Sequence, residues 1–257
     1  MAHDNKTPDL ARAERILGST DFFKPVRTRR RFMSAMVTGG ATLAAVASGL
    51  GRVSGAFAAL NSNPVLDFGM AAVGAERIGI TFYSNALGIV SPFGVSGDVA
   101  KGTLLNSAHR VYFQAAMNQE TDHLTTLLNL GLGFPFSTFA FPAGTFGSAP
   151  AMLALGEQLE VIFIGAYLGA VLAGATAGGS LGITVAELAA QICGVESSHR
   201  VLIRDIAGAN PPNDRFYEGT QPSATSATPG DTGQRSTVYA SGDAAVSDLL
   251  ALGITPS

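Results

Sequence analysis

Glu120-Thr121-Asp122-His123 and Glu196-Ser197-Ser198-His199 repeat one four-residue pattern, a glutamate followed three places later by a histidine. On an α-helix, positions i and i+3 share a face, roughly 4.5 Å apart along the axis. A carboxylate and an imidazole placed in this way can ligate one metal ion, while the second carboxylate oxygen reaches another. A single Glu-x-x-His occurs often by chance. Two of them, on two predicted helices of a chain poor in charge, point to a shared centre.

Working outward from these segments, the punctuation of the chain predicts four long helices. The first runs from about Asn63 to Leu87 and is broken by Gly88, Pro92, Gly94 and Gly97. The second runs from about Thr103 to Leu130 and ends at Gly131-Leu132-Gly133. A loop marked by Pro135, Pro142, Gly144, Gly147 and Pro150 leads to a third helix, from about Ala151 to Ala173. Gly178-Gly179 and Gly182 mark the next turn, with Thr184 as the expected N-cap of a fourth helix that reaches Ala207 and stops before Pro211-Pro212. Glycines inside the helices, among them Gly74, Gly79, Gly156, Gly165 and Gly169, each cost about 1 kcal/mol of propensity relative to Ala, which implies close helix packing.

The other two helices each offer a glutamate on an apolar face. Glu76 is the only one in the first helix and shares its face with Val73, Ile80, Tyr83 and Leu87. In the third helix, Glu160 sits with Leu153, Ile164, Tyr167 and Val171. Alone, either carboxylate is most simply a surface or half-buried group, and either histidine a half-exposed one. Together, Glu76, Glu120, His123, Glu160, Glu196 and His199 form the ligand set of a ferritin-like di-metal bundle, one Glu from each of two helices and Glu-x-x-His from each of the other two. Four carboxylates buried without compensation would be very costly, and two metal ions supply the missing positive charge. Oxygen and imidazole donors in this mixture suit two ions of iron or of manganese. The connection of about 19 residues between the second and third helices is the long crossover that a ferritin-like four-helix bundle requires. The expected class is therefore all-α.

Beyond the ligands, local contexts resemble a known family, the exported bacterial ferritin-like proteins, a group that includes desiccation-related proteins. The resemblance rests on Glu76 followed by Phe82-Tyr83, on Glu160 followed by Gly165-Ala166-Tyr167, and on the Phe/Pro/Gly loop before the third helix. It covers about residues 63–208 and implies a metal site of ferritin type, without implying a particular reaction. Cys193 and the polar C-terminal stretch have no counterpart in it.

Nearby residues have plainer roles. Glu157 is expected on a solvated face, with an outer position around the ligands as the alternative. His109 is expected at the surface. Tyr83 and Tyr167 each follow a ligand glutamate by seven residues; core packing is the default and a redox role the alternative. Cys193 is expected to behave as a small buried apolar side chain.

Composition narrows the function. Charged residues are only 14% of the chain against roughly 25% in an average soluble domain, and apolar residues are 47%. The formal net charge of −3 gives no basic surface for nucleic acid. One cysteine excludes a multi-cysteine zinc or iron–sulfur site. The charge is uneven: residues 1–58 carry nine Lys and Arg against four Asp and Glu, and residues 59–257 carry seven against fifteen. The basic part, 1–58, has the layout of a twin-arginine export signal. Arg29 and Arg30 precede an apolar stretch interrupted by Gly39, Gly40 and Gly49, and Ala56-Phe57-Ala58 offers a small-x-small cleavage region. A membrane anchor is the alternative for that stretch. The expected organisation is a signal over 1–58, the bundle over 59–208 and a polar tail over 209–257 with a short helix near 241–252. The uncharged run from Val161 to Ala186 could span a membrane by length, but its glycines favour a buried bundle helix. The expected partners are metal ions and the twin-arginine export machinery, with no nucleic acid and no stable membrane insertion after processing. The expected location is periplasmic or extracellular. Homo-oligomer formation is left open by one chain. The expected function is redox chemistry with O₂ or peroxide, or iron handling; a structural stress or desiccation protein is the alternative.

Overall fold

The computed structural model describes residues 63–95, 99–100, 104–210, 212–213 and 238–256. The export signal expected at Arg29 and Arg30 and the cleavage region at Ala56 and Ala58 lie outside the described residues.

Four long helices form as the sequence pattern dictates. Helix α1 spans Pro64–Ala86; the Asn63 side chain accepts the Val65 N–H at 3.0 Å, and Pro64 opens the helix without losing a hydrogen bond. Helix α2 spans Ser107–Asn129. It starts later than the expected Thr103 because Asn106 takes the cap position, accepting the His109 N–H at 2.8 Å. Helix α3 spans Ala149–Ala177, capped by Ser148, and helix α4 spans Gly179–Ile206.

The turn between α3 and α4 differs from the sequence expectation. Thr184 is not an N-cap: it lies inside α4, and its hydroxyl donates to the Ser180 carbonyl at 2.9 Å. Gly178 alone separates the helices, in a left-handed conformation (φ 63°) that favours glycine. Gly182 is likewise helical, because it is a contact point. A Cβ there would fall 2.2 Å from the Gly174 carbonyl oxygen, so the two backbones touch only where both side chains are absent.

Helix α1 packs on α2 and α3, and α4 packs on α3 and α2, with the core between them. Phe82, Tyr83, Phe113, Phe141 and Phe146 form a run of tilted and edge-on ring contacts in that core. The architecture is the all-α, ferritin-like bundle expected from the sequence. By length and composition α3 could cross a membrane, but 56% of its most apolar stretch is buried inside the protein.

The crossover over 130–148 is ordered by long-range contacts. The Arg77 guanidinium, from α1, donates to the carbonyls of Phe136 at 2.6 Å and Phe134 at 3.3 Å. Strand β1, Phe139–Ala140, pairs antiparallel with β2, Thr255–Pro256, near the C-terminus. The expected short helix forms as α5, Gly242–Ala251. It is not a free tail: it packs on α1 and α3, and the Gly242 N–H donates to the buried Asp67 carboxylate at 2.6 Å. Residues 238–256 therefore complete the packed body of the bundle.

Candidate metal centre

Each of the four long helices places one glutamate in the middle of the bundle. Glu76, Glu120, Glu160 and Glu196 are all at most 1% exposed. Gly79 makes room for Glu120, since a Cβ there would approach the Glu120 carboxyl carbon at 3.0 Å. The histidines follow from helical spacing, His123 at 12% side-chain exposure and His199 at 3%.

The six side chains meet in two overlapping groups. Glu76, Glu120, His123 and Glu196 offer ligand atoms within 4.8 Å of one another, and so do Glu120, Glu160, Glu196 and His199. Glu120 and Glu196 belong to both groups. Both imidazoles turn Nδ1 inward. His123 Nδ1 lies 3.2 Å from Glu196 Oε1 and 3.3 Å from Glu76 Oε2. His199 Nδ1 lies 3.2 Å from Glu120 Oε1 and 3.2 Å from Glu196 Oε2.

Donor chemistry tests whether metal fits. Glu76 Oε2, both Glu120 oxygens, Glu160 Oε2, Glu196 Oε1 and His123 Nδ1 are buried without a hydrogen-bond partner. Such atoms ordinarily cost about 1–3 kcal/mol each, and here they crowd one space. A pair of cations would satisfy them together. The set is all carboxylate oxygen and imidazole nitrogen, the donors of hard and borderline divalent ions.

Electrostatics describe the same strain. Burial, then the neighbouring carboxylates Glu196 and Glu76, push the Glu120 carboxyl well above its ordinary range. Burial and Glu196 do the same to Glu160. Burial would raise Glu196 too, but the adjacent imidazoles of His123 and His199 outweigh it and hold Glu196 down at about 2. Burial lowers His123, yet the crowding charge of Glu120, Glu196 and Glu76 drives it up to about 12. His199 is also raised: burial is outweighed by Glu196 and Glu160.

A ferritin-like domain model matches residues 65–209 of the chain. The chain belongs to this family. No curated protein and no solved structure matches it. The four glutamates and two histidines of this ferritin-like chain all fall inside the matched span.

The ferritin-like bundle also holds partners that sequence spacing did not give. Tyr83 is not mere core filling: its hydroxyl donates to Glu160 Oε1 at 2.5 Å, and the Tyr167 hydroxyl donates to Glu76 Oε1. Each tyrosine therefore crosses to the glutamate of the opposite helix. Gln119 belongs to no sequence pattern, yet its side-chain oxygen lies 2.8 Å from His199 Nε2. Its position beside Glu120 was the only available signal. Glu157 does not simply face solvent, because Arg204 at 2.6 Å and Arg200 at 3.2 Å pair with it. His109 sits at the start of α2, away from the ligands. Cys193 is half-buried, and burial pushes its thiol up to about 11, consistent with an inert side chain.

Proposed function

We propose that this ferritin-like protein binds two metal ions, iron or manganese, and uses them in redox chemistry with O₂ or peroxide or in iron handling. The sharing of Glu120 and Glu196 between two ligand groups carries this reading. Glu76 with His123 would complete one position, and Glu160 with His199 the other. A pair of such ions, when bound, would supply the electrons that dioxygen or peroxide accepts. The protein orients the terminal carboxylates through Tyr83 and Tyr167, fixes the His199 tautomer through Gln119, and excludes water with the apolar bundle around them. Metal analysis of the purified protein should return two ions per chain, and Fe²⁺ or Mn²⁺ should raise the thermal midpoint of the metal-free form. Metal-free protein with an unshifted midpoint in both would overturn the reading.

A structural stress or desiccation role is the second reading. In it the six side chains would hold ions that brace the bundle without turning over. It predicts full stability and no oxygen or peroxide consumption in metal-loaded protein.

The export proposal rests on sequence alone. Arg29 and Arg30 ahead of a glycine-weakened apolar stretch, with Ala56-Phe57-Ala58 after it, support twin-arginine export to the periplasm or beyond. Replacing Arg29 and Arg30 by Lys should leave the protein in the cytoplasm; unchanged export would point to another route.

A further inference from the structure

One end of the bundle contains a cavity of about 40 Å³ that the ligand set does not use. Its inner boundary is one helical turn from the metal ligands on three helices. Ala72 precedes Glu76 by four residues, Leu127 follows His123 by four, and Ile192 precedes Glu196 by four. From α3, Tyr167 reaches the same boundary, and its hydroxyl is given to Glu76. The outer boundary includes Leu130 and Val185, which are partly exposed. Leu130 is seven residues beyond His123, so the passage from outside to the ligand layer is roughly 10 Å long.

The void has an identifiable origin. Ala72, Ala170 and Ala189 occupy inward positions on three helices, where a well-packed bundle carries larger side chains. The size and polarity of the space restrict its guest. A cavity of about 40 Å³ exceeds the roughly 10–15 Å³ needed for one water, but is far below the roughly 150 Å³ that admits an aromatic ring. Water is a poor occupant, since it needs about 2–4 polar partners and the one hydroxyl in the wall is already committed. What remains is a small, uncharged, apolar molecule.

We propose that this cavity binds dioxygen and delivers it to the Glu76–His123 side of the metal centre. The inference rests on the redox reading above and names the route by which the apolar reactant arrives. The side is set by geometry: Leu127 lies one turn from His123, and Tyr167 joins the cavity wall to Glu76, whereas the lining residues nearest in sequence to His199 and Glu160, Ile192 and Tyr167, are two turns away.

Xenon is a suitable probe because it is apolar, of similar size and independent of metal. Crystals of the full metal-free protein under xenon pressure should show a xenon atom between Ala72, Leu127, Ala170 and Ala189. Ala189→Leu should remove that peak, and Ala72→Val serves if the first variant does not fold. In Fe²⁺-loaded protein, either variant should slow stopped-flow oxidation by dioxygen about tenfold while leaving the bound Fe²⁺ stoichiometry unchanged. An absent xenon peak beside rapid oxygen consumption overturns this inference and leaves the redox reading intact. Xenon binding with unchanged oxidation in the filled variants also overturns it. Wild-type protein that binds xenon and Fe²⁺ but consumes no dioxygen overturns the redox reading, and the delivery role falls with it.

Discussion

The α1–α2 pair and the α3–α4 pair present nearly the same chemistry to the centre of the bundle. Each supplies a buried glutamate, a tyrosine seven residues later, and a Glu-x-x-His on the following helix. The tyrosines exchange, each bonding the glutamate of the other pair. The histidines break the likeness. His199 is 3% exposed and its outer nitrogen is held by Gln119, whereas His123 is 12% exposed and faces the carboxylates of Glu76, Glu120 and Glu196 through Nδ1 with no such amide behind it. The residue before Glu120 is Gln119, while the residue before Glu196 is Val195, so the second pair has no amide to offer in return. Duplicated carboxylate and imidazole positions do not make duplicated surroundings; the groups behind them decide how firmly each imidazole is held.

The largest effect should come from the groups that the two halves share. Glu196→Ala removes a ligand from both positions, and the bound-metal count should fall from two to none in equilibrium dialysis. Retention of one tightly bound ion would show that the halves are independent and that Glu196 is not a bridge.

A smaller, one-sided effect tests the asymmetry itself. Gln119→Leu frees the His199 ring without touching a ligand. By analogy with other partners that orient metal-bound imidazoles, one of the two binding constants should weaken by about 10–100-fold while the other holds. Calorimetric titration with Mn²⁺ would resolve the two steps. Equal weakening of both would mean that the halves respond as one unit.

The smallest effect concerns the metal-free protein. A carboxyl raised by folding, as Glu160 is by burial and Glu196, binds its proton more tightly in the folded chain. Its ionisation therefore costs stability as pH rises above the ordinary carboxylate range, and the cost vanishes on acidification below that range. Glutamine keeps an acceptor for Tyr83 and has no such proton to lose. Metal-free Glu160→Gln should be at least as stable as wild type at pH 7, by about 1 kcal/mol or less, with the gap closing near pH 4. Thermal unfolding with and without Fe²⁺ should also show the metal-dependent rise reduced in this variant. A less stable metal-free variant, or a full metal-dependent rise, would remove Glu160 from the repelling cluster.

Helix spacing made much of this legible. Glu76 and Glu160 could be placed inside because each lies on a stripe of apolar residues at helical period, and the structure buries both at 1% exposure. The long crossover was legible from its prolines and glycines. The start of α4 was not, because glycines mark both turns and close helix contacts, and Gly182 serves the second purpose. Gln119 and the Tyr83–Glu160 and Tyr167–Glu76 pairs were not legible either, since each joins residues at least 77 apart in the chain.

The sequence by itself determined the four-helix, all-α architecture and which side chains could share a face, because the α-helical period converts residue spacing directly into direction. Tertiary structure alone decided which faces meet. It set Gln119 against His199, crossed the tyrosines, docked α5 on α1 and α3, and left a cavity where Ala72, Ala170 and Ala189 come together. Those outcomes depend on helix packing and side-chain rotamers across distant segments, and no local period encodes them.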